Sequence, residues 1–142
     1  MGSNAIRAAV TVVAVSAALL GGRTLTTTPV AQAAGGACTF AFNKNPYVLH
    51  EAVVVGGIVE CNPAPLQFRI ELRLWHRSGT SNPQPKGDPV VVTQIPNPNL
   101  NVAAMALDCV PGVWQGKIVM RATWDTGTDE GRNETAPTFI QC

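Results

Sequence analysis

The stretch Leu66-Gln67-Phe68-Arg69-Ile70-Glu71-Leu72-Arg73-Leu74-Trp75-His76-Arg77 constrains the fold more than any other part of this chain. Leu66, Phe68, Ile70, Leu72 and Leu74 fall on every second position, and Gln67, Arg69, Glu71 and Arg73 fill the gaps. Successive side chains of a strand point to opposite faces, so this spacing buries one face and wets the other. A helix would scatter the same leucines around its circumference. The segment predicts a central strand whose apolar face needs a second layer to cover it.

The N-terminus reads as a targeting segment. A single early charge, Arg7, precedes an uncharged apolar run over 8–20, and a polar stretch follows over 23–29. Ala31-Gln32-Ala33 fits the small-x-small pattern of signal peptidase, which predicts a signal peptide over 1–33 and a domain over 34–142, with cleavage after Ala34 as the alternative. The run is shorter than the roughly 20 apolar residues of a membrane span, so a retained anchor is the lesser reading. No later run is long enough to span a bilayer, and no stable membrane insertion is expected after cleavage. Loss of Arg7 and Arg23 leaves eight basic against nine acidic residues. That balance argues against general nucleic-acid binding, which needs a strong basic excess.

All four cysteines, Cys38, Cys61, Cys109 and Cys142, follow the signal. An even count in a small exported domain predicts two disulfides. A metal site is a poor alternative, because there is no C-x-x-C pair and His50 and His76 stand apart from the cysteines.

The remaining chain alternates short strand-like runs with turns. Runs over 38–42, 50–60, 66–77, 89–95, 100–108, 113–124 and 138–142 predict about seven strands. Gly56-Gly57 inside the second marks a bulge or a close backbone approach. Alanines in 100–108 would allow a helix, but nine residues between proline turns fit a strand better. In 113–124, Trp114, Ile118, Met120, Ala122 and Trp124 share one parity, and Gln115, Lys117, Arg121 and Thr123 share the other. The segments 78–88, rich in proline and glycine, and 125–137, polar and acidic, are expected to be loops.

This pattern predicts an all-β fold, an antiparallel two-sheet β-sandwich of immunoglobulin-like architecture. The cysteine-tryptophan-cysteine spacing of true immunoglobulin domains is absent, so the word describes architecture alone. If strands run alternately up and down, Cys38 and Cys61 lie at one end of the sandwich and Cys109 and Cys142 at the other. Bridged Cα atoms must lie within about 7 Å, whereas a six-residue strand spans about 20 Å. The expected pairs are therefore Cys38–Cys61 and Cys109–Cys142.

Chemistry-bearing constellations are missing. The only serines after the signal, Ser78 and Ser81, lie in a proline-rich segment outside any G-x-S-x-G, and neither H-E-x-x-H, a P-loop nor G-x-G-x-x-G occurs. No catalytic, metal or cofactor-binding residue is assigned, and the expectation is a non-enzyme without a cofactor. One distribution does stand out. The wet parity of 66–77 carries Arg69, Arg73, Trp75 and Arg77, and that of 113–124 carries Lys117 and Arg121. These two strands are sheet neighbours in the expected architecture, so the six residues share one outer surface. Arginine and tryptophan are enriched at binding hot spots, which makes this a candidate face for an acidic protein, a cell-wall polymer or an anionic surface. The ordinary alternative is a solvated sheet face with Trp75 tucked under a loop.

The signal peptide, alanine-rich leader, four cysteines and strand-rich body resemble the small uncharacterised secreted proteins common in actinobacteria. That resemblance implies a secreted or extracellular location, including association with the cell wall, and no activity. Val113-Trp114-Gln115-Gly116-Lys117 is also similar to a short strand of the secreted subtilisin-inhibitor family of filamentous bacteria. The cysteines here stand at different distances from it and a reactive-site loop has no counterpart, so no inhibitory residue is carried over. The expected function is a secreted binding or surface-associated module for an unknown protein or cell-wall partner. A secreted protease inhibitor using the segment 78–88 is the alternative.

Overall fold

A computed structural model describes residues 35–142, so the expected signal peptide over 1–33 lies outside the described residues. Within them the chain forms nine strands: β1 (Ala37–Phe42), β2 (Tyr47–Leu49), β3 (Ala52–Asn62), β4 (Gln67–Arg77), β5 (Gln84–Val92), β6 (Asn99–Ala106), β7 (Gly112–Trp124), β8 (Gly127–Glu134) and β9 (Thr138–Ile140). They make two antiparallel sheets. In one, β3 is flanked by β6 on one side and by β1 and β2 on the other. In the second the order is β5-β4-β7-β8, with β9 continuing the β8 edge along β7.

The alternation in 66–77 sets the interior as expected from Phe68 onward. Phe68, Ile70, Leu72 and Leu74 are buried, and β7 places Ala122, Met120, Ile118 and Gly116 directly opposite them. Val53, Val55 and Val59 of β3 with Val102 and Ala104 of β6 cover this layer from the other sheet. Leu66 departs from the pattern. It is 61% exposed, because the first rung of the ladder is Gln67 against Thr123, and Leu66 still belongs to the turn out of Pro63–Pro65. Alternation holds only where a ladder enforces it.

Both disulfides have the expected pairing. Cys38 and Cys61 are opposite partners in the β1–β3 ladder, with Cα atoms 4.1 Å apart, and Cys109–Cys142 closes the far end. Segment 100–108 is a strand over the range of β6, not a helix. Gly57 is a close approach and not a bulge. The β3–β6 register runs unbroken past it, and a Cβ there would collide with the Ala41 carbonyl and the Phe40 ring.

Three segments differ from expectation. His50 and Glu51 do not begin a strand but form a two-residue turn, both with positive φ (47° and 67°), between β2 and β3. That is the geometry of a primed hairpin turn, which matches the strand twist. Residues 84–88 are not loop but the first half of β5, which pairs with β4 and so joins its sheet. A register shift opposite Leu72–Leu74 accommodates Gly87 and Pro89 there. Residues 127–134 are not loop either. They form β8, paired with β7 along its whole length. β8 buries little beyond Gly131, so ladder hydrogen bonds and not apolar burial hold it.

Candidate functional site

The outer face of the β5-β4-β7-β8 sheet collects the predicted residues. On β4, Arg69, Glu71, Arg73 and Trp75 point outward between the buried positions, with Arg77 exposed at the strand end. On β7, Gln115, Lys117, Val119 and Arg121 do the same. The ladder sets them in rows. Arg69 stands opposite Arg121, Glu71 opposite Val119, Arg73 opposite Lys117, and Trp75 opposite Gln115. β8 extends the rows with Glu130 beside Arg121, Arg132 beside Val119 and Glu134 beside Lys117.

Two of these rows bring like charges directly across a strand pair, a placement that costs stability in an antiparallel sheet. Carboxylates on neighbouring positions offset part of it. Glu71 accepts hydrogen bonds from both Arg69 (3.2 Å) and Arg73 (3.1 Å). Lys117 lies 3.5 Å from Glu134, and Arg132 lies 3.0 Å from Glu130. Arg73–Glu71 is part-buried and the other pairs are more exposed, so the exposed pairs contribute little each. Six cations (Arg69, Arg73, Arg77, Lys117, Arg121 and Arg132) share the face with three carboxylates (Glu71, Glu130 and Glu134), so it stays cationic. Among the described residues Arg121 and Arg77 make no ion pair within 4 Å.

The middle of the face is a shallow hollow of about 490 Å³. Val119 forms its floor, and Glu71, Arg73, Trp75, Lys117 and Arg132 stand around it. Trp75 is half-buried, and the Lys117 ammonium lies 5.2 Å from the centre of its ring system, within cation–π range. The hollow therefore offers an aromatic wall, an apolar floor and three cations interleaved with two carboxylates, Glu71 and Glu134, an excess of one positive charge that favours an extended anionic ligand with apolar faces. Arg69 and Arg121 flank it toward one end of the sheet, and Arg77 sits at the other end, outside it.

Five of the predicted cations are thus brought onto one sheet with Trp75. Arg132 is not among the residues expected from the sequence, because its segment has the composition of a loop. Its signal is the alternation Glu130, Arg132, Glu134. Among the described residues no three His, Cys, Asp or Glu side chains gather where they could hold a metal ion. His76 is engaged in the structure, its Nε2 3.1 Å from the Pro111 carbonyl and its ring 4.8 Å from that of Trp114.

The opposite outer face is different in kind. Val54, Gly56 and Ile58 of β3 and Asn101, Ala103 and Met105 of β6 share it, with Glu60 at one end. Lys44, beside Tyr47, is the other charge at this face, so it carries far fewer charges than the β5-β4-β7-β8 sheet.

Compared with known proteins, the chain matches no family model, no curated protein and no solved structure. What the geometry defines is an all-β domain of two antiparallel sheets with two disulfides and one cationic outer face. Two disulfides fit an oxidising environment outside the cytosol. Among the described residues no helix is long and apolar enough to cross a membrane.

Proposed function

We propose that this chain is a small secreted, non-enzymatic binding module that takes an extended acidic polymer of the cell surface on the outer face of the β5-β4-β7-β8 sheet. The observation that carries this reading is the double opposition Arg69/Arg121 and Arg73/Lys117 across β4 and β7. An anion lying along the β4–β7 seam meets both pairs at once and relieves repulsion that the free domain bears. Trp75 supplies a rigid apolar contact beside them. The organisation shared with small secreted actinobacterial proteins supports the same setting.

Polygalacturonate, a linear polyanion with apolar sugar faces, serves as the test ligand. Binding by the wild type and loss of roughly tenfold or more on Arg73→Ala combined with Trp75→Ala supports the reading. Absence of binding, or binding that survives both changes, rejects it.

A second reading is a secreted protease inhibitor. Its available segment is now the hairpin tip 78–83, where Ser81 bonds the Ser78 carbonyl through both its N–H (3.1 Å) and its Oγ (2.6 Å). An exposed tip held in shape in advance is what an inhibitory loop needs. Titration against a set of serine proteases separates the two readings.

A further inference from the structure

The cationic face does not end at the hollow over Val119. A second, smaller hollow of about 80 Å³ lies beyond Trp75, lined by Trp75, Arg77, Val113 and Gln115, with Pro83 and Pro137 among its walls. Along the β4–β7 seam the rows run Arg69/Arg121, Glu71/Val119, Arg73/Lys117, Trp75/Gln115 and Arg77/Val113. The larger hollow takes in the rows from Glu71 to Trp75, and the smaller one those from Trp75 to Arg77. The two therefore lie end to end along the seam and share the indole as a wall. Opposite that indole, Gln115 is held in place by donating to the Thr135 carbonyl at 2.8 Å.

Charge is not available evenly along this line. In the middle, Arg73 lies 3.1 Å from Glu71 and Lys117 lies 3.5 Å from Glu134, so both cations already have a carboxylate. At the two ends, Arg121 and Arg77 are exposed and make no ion pair within 4 Å among the described residues. A cation without a carboxylate beside it has no partner to give up when an anion arrives. From the Arg69/Arg121 row to the Arg77 row the seam runs about 26 Å, at roughly 3.3 Å per residue.

We infer that the face selects its ligand by length. It holds a chain that lies along the whole seam, crosses the Trp75 indole from the larger hollow into the smaller, and reaches Arg121 and Arg77 at once. This rests on the reading of the face as a site for an acidic polymer, and adds which chains it takes. A monomer or short oligomer reaches the middle alone, where its carboxylates compete with Glu71 and Glu134 for the same cations. A longer chain keeps those contacts and adds a charge-assisted one at each end. Once its middle is held, each end binds at a high effective concentration.

Calorimetric titration with graded oligogalacturonides, from the monomer to chains longer than the seam, tests this on wild type, Arg77→Gln, Arg121→Gln and the double variant. All the substitutions alter exposed side chains and leave the core untouched. The expected wild-type affinity per chain climbs by roughly tenfold or more between short chains and those that span the seam, and then levels off. Either single substitution should weaken the spanning chains several-fold and leave short ones unchanged, and the double substitution should flatten the climb. Short chains that bind as tightly as long ones overturn the inference and leave the acidic-polymer reading standing. So does a climb of the same steepness in wild type and double variant, which reports only the number of binding registers on a longer chain. Failure of every length, polygalacturonate included, removes both.

Discussion

Arg73 and Lys117 stand directly opposite each other on β4 and β7, and each leans on a different carboxylate, Arg73 on Glu71 and Lys117 on Glu134. Further along the same seam, Arg69 faces Arg121. Here the ladder register, set by the buried side chains beneath, holds cations together that would separate if free. Replacing Arg121 with glutamine removes the member of this like-charged pair that makes no ion pair within 4 Å among the described residues, whereas Arg69 leans on Glu71. The expected outcome is a domain as stable as the wild type or more so, by a few tenths of a kcal/mol, with weaker polyanion binding. Paired thermal melts and binding isotherms check whether stability and affinity move in opposite directions.

Each disulfide closes a loop in the unfolded chain, across sequence separations of 23 and 33 residues. Chain-entropy reasoning assigns each roughly 3–4 kcal/mol, a large part of the net stability of a small domain. Replacing Cys109 and Cys142 together with alanine should lower the unfolding free energy by about that amount. It should also free the β9 end, which Cys142 ties down just beyond Ile140. Denaturant titration measures the first effect and hydrogen exchange at Phe139 and Ile140 the second.

The turn between β2 and β3 places His50 and Glu51 at positive φ, where a Cβ is unfavourable. Combining His50→Asn with Glu51→Gly supplies the asparagine–glycine pair that this turn type prefers. The double substitution should stabilise the domain by about 1 kcal/mol, read as a higher denaturant midpoint with an unchanged slope.

Gly57 makes the opposite prediction. Its neighbours are the Ala41 backbone and the Phe40 ring, neither of which is the flexible end of a side chain. Gly57→Ala should cost about 1–3 kcal/mol by forcing β1 away from β3. Strand separation there would also stretch the Cys38–Cys61 region. A lowered melting temperature together with faster exchange in β1 is the expected signature.

What is legible in the sequence follows from which residues carry burial. β4 and β7 alternate apolar and polar residues over a long stretch and lie at the centre of their sheet, so their pattern is direct. The disulfide pairing follows once strand direction is assumed. β8 is hidden because Thr128, Asp129, Glu130, Arg132 and Asn133 resemble a solvated loop, and an edge strand that buries little more than Gly131 leaves no apolar period. The first half of β5 is hidden for the same reason, with Pro85, Gly87 and Pro89 signalling turns where the structure has a proline-guarded edge. Parity alone places Trp75 and its cations on one face. The hollow between them is not legible, because it needs Arg132 from the strand that resembles a loop.

The central claim is that the cationic sheet face binds an acidic polymer through charge. The most direct test is the affinity of the wild-type protein for immobilised polygalacturonate measured across a salt series. Screening shortens the reach of these interactions, from about 30 Å at 0.01 M to about 8 Å at 0.15 M salt. The expected result is tight binding at low salt that weakens steadily as salt rises, with a shallower dependence after Arg73→Ala and Lys117→Ala. Binding that is absent at low salt, or that ignores both salt and the double substitution, would contradict the claim.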